Sequence, residues 1–272
     1  MKSLVRFPFF SVIVLVSIFF FCFIGVNIYS GLAYELNPKA ILLSPSWEYP
    51  LGTDRLGRDL LARILQGGKI SLTIGFVSAI VTSLFGLIVG VSAGFFKGKT
   101  DRTIIVLIDL FLTFPTFFLL LALISYINAS LWVIIIVISI TGWMSMARMI
   151  RSESFAISNA PFIKILKIGK VNSLKIILKY FTPILAPIFF ISFTLGVSGA
   201  ILAESGLSFL GIGINSPQIS WGTILSEGKE VMDIAWWLSF FPGLMIFIVT
   251  YSLINISDYL QTKTDSKEQH VQ

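Results

Sequence analysis

The chain has 272 residues, 56% hydrophobic and 12% charged, with a mean hydropathy of +0.90. That excludes a water-soluble globular domain, and about six spans of roughly 20 residues would use most of the length. The formal charge of +6 reads, on so apolar a chain, as inner-face membrane loops and not as a nucleic-acid surface, and a single cysteine (Cys22) and a single histidine (His270) exclude an internal disulfide and metal sites built on several such residues.

Lys2 and Arg6 precede a first predicted span at about 9–28. It is longer than a signal-peptide core and no Ala-x-Ala follows, so it reads as a retained anchor that starts inside the cell. Phe20 and Phe21 before Cys22 do not fit a lipoprotein cleavage site. Residues 29–69 are polar and mixed in charge, as expected of an outer connection. Further spans are predicted at about 70–95, 104–126, 131–146, 184–202 and 237–256, within one membrane domain, 1–272. The fold class is therefore an all-α integral membrane protein with about six transmembrane helices.

The links set the orientation. Lys97–Arg102 holds three basic residues and one acidic, so it lies inside, and the uncharged 127–130 lies outside. The connection at about 148–183 holds Arg148, Arg151, Lys164, Lys167, Lys170, Lys175 and Lys179 against Glu153 alone, 7 − 1 = +6, equal to the whole chain's charge. That places it in the cytoplasm. Residues 204–233 hold Glu204, Glu227, Glu230 and Asp233 against Lys229, a net −3, and lie outside. Both termini are then cytoplasmic. Trp47, Trp132, Trp221, Trp236 and Trp237 fall near the outer boundary, as an aromatic belt would.

Three features depart from a lipid-facing pattern. Gly86, Gly90 and Gly94 repeat every four residues and predict a close helix–helix contact. Asp109 is an ionisable group inside a span, a functional-site signal by default; pairing with a basic residue near the inner interface is an equally good reading. Residues 206–213 (GLSFLGIG), with Ser208, Phe209 and Gly211, are too short to span and rich in glycine. They predict a short outer element, either part of a pathway or gate or a plain packed loop. Gly98-Lys99-Thr100 ends like a phosphate-binding loop, but Ala93 stands where its first glycine belongs, so no ATP site is expected here.

The basic connection reads as a helix–turn–helix. Ser158-Asn159-Ala160-Pro161 is a helix start. Phe162-Ile163-Lys164-Ile165-Leu166-Lys167-Ile168 follows, Gly169 ends it, and a second helix runs from Ser173 to about Tyr180. A short helix with an apolar ridge either inserts into a partner's groove or rests on anionic lipid; spacing alone leaves both open.

Several stretches, in order from about Pro50 to Asp258, resemble the permease subunits of ATP-binding-cassette importers of the dipeptide, oligopeptide and nickel group. They are Leu51–Asp59 (LGTDRLGRD), Asp101, Asp109 and Phe114-Pro115, Glu204–Gly213 (ESGLSFLGIG), Ser220-Trp221-Gly222, and Pro242-Gly243 with Asn255 and Asp258. The resemblance implies a second permease subunit, two ATPase domains that bind ATP and Mg, and an external substrate-binding protein. This chain itself would bind no cofactor. It implies alternating access for a small peptide or a nickel-type chelate. It also implies that Phe162–Gly169 docks on an ATPase. There the chain departs from the family pattern of Glu-Ala-Ala followed by Gly: Lys164, Ile165 and Leu166 stand at the first three places and Lys170 at the glycine's. The usual Asp-Pro-Arg after the last helix is missing. Two other classes fit the composition alone, a membrane scaffold and an ion-driven transporter, although no internal repeat is seen.

Overall fold

The computed structural model describes residues 7–29, 33–127 and 129–268. Lys2, Arg6, Asn128 and His270 lie outside them. The described chain is helical, with one isolated bridge between Thr53 and Asp59 as its only β pairing. The helices are α1 (Phe9–Ile28), α2 (Leu60–Phe96), α3 (Gly98–Leu112), α4 (Thr116–Ser125), α5 (Leu131–Asn159), α6 (Pro161–Ile168), α7 (Ser173–Phe209), α8 (Trp221–Lys229) and α9 (Trp237–Glu268). Five are long and apolar enough to cross a membrane, and six crossings result if α3 and α4 count as one bent span.

The expected spans are present, but most are longer than predicted, and in α2 and α5 the charges that seemed to end them are neutralised by neighbours. α2 begins at Leu60, not 70. Asp59 caps it by accepting the Ala62 amide at 3.0 Å. Arg63, 1% exposed, is bonded to Asp54 and Glu227 and so is tolerated within the helix. α5 runs on through Arg148 and Arg151, which pair with Asp109 and Asp101 of α3. The predicted second helix of the basic connection is no separate element: it fuses with the fifth span into the 37-residue α7. Pro183 does not stop it. A π turn at Ile177–Phe181 widens the helix just before the proline, and the Ile177 carbonyl accepts both the Thr182 amide and, at 3.2 Å, Thr182 Oγ.

The predicted span 104–126 is broken. α3 and α4 meet at 79° across Thr113-Phe114-Pro115, where proline removes a donor and clashes with the preceding turn. Residues 206–213 also differ from expectation. Gly206–Phe209 finish α7 as regular helix, and only Leu210 onward turns back. That return leads to α8, which was not predicted. Trp221 and Trp237, expected at a lipid boundary, are 0% and 5% exposed and belong to the core.

The bundle packs α2 at its centre, against α5 on one side and α7 on the other. One apolar core joins α1, α2, α7, α8 and α9 through Cys22, Leu60, Leu72, Ile201, Trp221 and Val249. A second, toward the loop 148–183, joins α2, α5, α6 and α7 through Phe95, Ile150, Ile163, Ile176 and Phe181.

Candidate functional site

The loop end of the bundle is built on α6. Pro161 opens the helix at its first position, where its missing N–H costs nothing. Ile163 is fully buried in the core beneath it, and the Phe162 ring leans on Tyr180, with centroids 6.0 Å apart. The helix thus has two faces. Ile163 and the half-buried Leu166 hold it to the bundle. Ile165, 68% exposed, and Ile168, 82% exposed, point away, with Phe162 on the flank. Lys164 is exposed. Lys167 is turned back: its Nζ donates to the Phe95 carbonyl and to Ser158 Oγ, both at 3.1 Å, and sits 4.0 Å from the Phe95 ring centroid. Burial, then the nearby Lys97, lowers its pKa. Ile163 and Lys167 therefore serve the permease itself.

The end of α6 explains the departure at Lys170. The amide of Val171 donates to Leu166 O and that of Lys170 to Lys167 O, both at 3.1 Å, which is the Schellman closure. Gly169, the expected terminator, has an ordinary φ of −67°. The left-handed position falls on Lys170, at φ 55°. The same closure ends α7, where Ile212 donates to Leu207 O and the left-handed residue is Gly211, at φ 81°.

α3 is fastened to α5 by polar rungs more than by packing, since Ile108 is its one buried residue. Arg151 Nη2 donates to Asp101 Oδ2 at 2.8 Å and its Nε to Oδ1. Lys97 Nζ donates to Asn159 Oδ1 at 2.6 Å. Arg148 pairs with Asp109, the two side chains 55% and 58% exposed. So the intramembrane Asp109 has a basic partner, and the pair opens to a face of the bundle.

Gly86, Gly90 and Gly94 lie against α5. A Cβ on Gly86 would come within 2.6 Å of Met146, on Gly90 within 2.7 Å of the Ala147 carbonyl, and on Gly94 within 2.5 Å of Ser154. The two helices approach too closely there for any side chain.

The opposite end holds a constellation that sequence reasoning missed. Glu204 had been counted as a loop charge, but it lies inside α7 and is 0% exposed. Ser208 Oγ donates to it at 2.7 Å and Ser71 Oγ of α2 at 3.2 Å. Ser71 Oγ in turn accepts the Trp221 amide at 3.1 Å, the first of α8, and a Ser220–Thr223 capping box serves the Thr223 and Ser220 amides. The Trp221 indole donates to Ile64 O at 3.0 Å. Ser208 is thus a buried partner of Glu204; Phe209 is half-buried and Gly211 exposed. The signal that could have found Glu204 is its neighbourhood, a carboxylate with Ser205 and Ser208 directly after an unbroken apolar run.

Beside this constellation, the motif 51–59 folds as a tight turn around Asp54. Its Oδ1 accepts the Leu56 and Arg58 amides at 2.8 and 2.9 Å, and its Oδ2 accepts Arg58 Nε at 2.6 Å and Arg63 Nη1. Gly57, at φ 71°, leaves no room for a side chain, because a Cβ would lie 1.9 Å from Asn37 O. The motif is an internal clasp between the turn at 51–59 and α2.

A multi-span bundle with a broken span, an exposed ion pair between two of its helices and a helical loop presenting an apolar ridge is the architecture of a multi-pass membrane protein. The chain belongs to the family described as binding-protein-dependent transport system inner membrane components, whose model matches residues 86–266, and it is a permease subunit of the ATP-binding-cassette importers. It is 34% identical to the oligopeptide transport system permease protein OppC of Haemophilus influenzae over 80% of this chain and 70% of that protein. To the dipeptide transport system permease protein DppC of Bacillus subtilis it is 34% identical over 83% and 71%. To OppC of Escherichia coli K12 it is 32% identical over 95% and 86%. Its fold matches a chain of the MetNI methionine ABC transporter in an inward-facing conformation, with TM-score 0.58, 16% identity, and 74% of this chain and 97% of that one covered.

Proposed function

We propose that this chain carries short peptides across the cytoplasmic membrane by alternating access, driven by ATPase subunits that dock on α6. The observation that carries the coupling half is the split of α6 into two apolar faces. Ile163 fastens the helix to the core, so a push on Ile165 and Ile168 moves the bundle instead of bending a loop. Those two side chains are mostly exposed among the described residues, and burying each would stabilise a complex by roughly 1.5–3 kcal/mol. ATP and Mg2+ belong to those partners, the loop 148–183 and both termini to the cytoplasm, and an external binding protein to the opposite face. A second permease covers α3 and α4.

The peptide half is supported by the relatives, which are named for oligopeptides and dipeptides. Among the earlier pathway candidates, Asp109 suits that role best. An ion pair more than half exposed at membrane depth does not face hydrocarbon, so Asp109 and Arg148 face either the second permease or the wet pathway. Ser208 is committed to Glu204.

The test is Ile165→Asp beside Lys167→Ala, in cells that depend on this importer for a labelled tripeptide. Ile165→Asp should leave the chain in the membrane, release the ATPase on purification and stop uptake. Lys167→Ala should keep the ATPase. Retained ATPase and uptake in Ile165→Asp would refute docking on this helix; no tripeptide uptake by wild type would refute the substrate.

A further inference from the structure

α7 is longer than the membrane it crosses. Its 37 residues, at about 1.5 Å each, reach roughly 55 Å, against a hydrocarbon core of about 30 Å. Between Lys179 and Glu204 it carries no charged side chain. Lys179, and Lys175 one turn before it, therefore stand at headgroup level at the loop end. Both are exposed, and neither makes an ion pair among the described residues. Beside them, at the same i, i+4 spacing, Leu174 and Leu178 are each 62% exposed. With Asn172 these four line an open groove of about 590 Å³. The Asn172 side chain is already used, accepting the Leu174 amide at 2.8 Å.

We propose that Lys175, Lys179, Leu174 and Leu178 form a site for an anionic phospholipid, with its phosphate between the two ammonium groups and an acyl chain along the leucines. Lys179 Nζ lies 5.7 Å from the Tyr180 ring centroid, but neither lysine has a carboxylate partner among the described residues, and such cations beside exposed leucines at a membrane boundary match an amphiphile with a negative head, not an acidic protein rim, which would leave the leucines uncovered. The two helices of the loop then divide their work. α6 presents an apolar ridge to a protein, and the start of α7 grips the bilayer. Only residues 169–172 separate them, so the lipid holds the base of the docking helix at a set depth. The proposal rests on the reading that this loop is cytoplasmic, where anionic headgroups attract lysines.

To test it, the chain with its co-expressed partners is placed in nanodiscs of phosphatidylcholine with a minor share of phosphatidylglycerol, and the phosphatidylglycerol that stays bound is measured by native mass spectrometry. Wild type should retain it. Losing either lysine should weaken retention roughly fivefold, and Lys175→Ala with Lys179→Ala roughly 25-fold, since each lysine near such a surface is worth about one such step. Leu174→Ser with Leu178→Ser should weaken long-chain more than short-chain phosphatidylglycerol. Lys164→Ala should change nothing. Unchanged retention in the double lysine variant would overturn the proposal, as would an equal loss in Lys164→Ala. Loss of the ATPase from the double lysine variant with lipid retained would assign the patch to a protein and also overturn it. A wrong orientation shows separately, as labelling of a cysteine at position 175 from outside intact cells, which the nanodisc measurement does not depend on.

Discussion

Asp101 and Arg151 meet side by side, Nη2 to Oδ2 at 2.8 Å and Nε to Oδ1, across the contact between α3 and α5. The two side chains are 15% and 26% exposed. The pair sits two turns from the end of α5, where α5 passes into α6. It therefore ties half of the broken span to the arm that an ATPase would move.

Removing one partner strands the other charge. Arg151→Ala should destabilise the chain by about 1.5–3 kcal/mol, the range for hydrogen bonds to charged groups, and should uncouple ATP hydrolysis from uptake. The exchange Asp101→Arg with Arg151→Asp should recover most of both losses. Thermal unfolding of the purified chain and the ratio of peptide taken up to ATP hydrolysed measure them. A double variant no better than the single ones would show that the pair does not link α3 to α5.

The glycine face of α2 gives a contrast within two residues. At Gly90 a side chain would meet the Ala147 carbonyl at 2.7 Å and Ile150 at 2.8 Å, whereas Ile88 is 63% exposed. Gly90→Leu should push α5 away and cost more than about 3 kcal/mol, beyond the usual range for overpacking, while Ile88→Leu should cost under about 0.5 kcal/mol. Yield of folded chain by size-exclusion chromatography reads the difference. Equal yields would contradict the α2–α5 packing.

Lys170 holds a backbone conformation that costs an ordinary residue about 1–2 kcal/mol and glycine almost nothing. Lys170→Gly should therefore stabilise α6, by about 0.5–1 kcal/mol once glycine's freer unfolded chain is counted. Amide exchange over residues 161–168 should slow in this variant and not in Lys170→Ala. Faster exchange with glycine would mean that the closure is not formed.

Ser71 is a hinge pin between two elements far apart in sequence. It donates to Glu204 and accepts from Trp221, so Ser71→Ala leaves a buried acceptor and a buried donor short of a partner, at about 1–3 kcal/mol each. Ser71→Thr keeps the hydroxyl. The alanine variant should red-shift tryptophan emission as Trp221 becomes wetter, and the threonine variant should not. No shift with alanine would remove Ser71 from the support of α8.

The apolar runs named their own spans, because hydrocarbon demands uninterrupted apolar residues and nothing else in this chain supplies them. What hid was paired charge. Arg63, Arg148 and Arg151 looked like span ends, and their partners Asp54, Asp109 and Asp101 lie 9, 39 and 50 positions away, too far for any local pattern to join. Glu204 looked like a loop residue because one of its hydroxyl partners, Ser71, is 133 positions distant, although the other, Ser208, is one turn on. α6 was legible as a helix from Pro161 and its apolar ridge, although Ser158 and Asn159 belong to α5 and no side chain caps its start. Which half of that ridge faces inward was not, because Ile163 and Ile165 differ only in what folds beneath them.

The break at Thr113-Phe114-Pro115 has a consequence for the life of the protein in a cell. Helices of 15 and 10 residues are each too short to cross a bilayer alone. They join through backbone that has left helical bonding, and irregular backbone at that depth endures only against protein or water. Val106, Leu110, Phe114 and Phe118 around it are 58–67% exposed. A subunit made alone is thus unfinished on this side and open to membrane proteases. If the proposed second permease covers α3 and α4, its supply, not this chain's own rate of synthesis, should set the abundance.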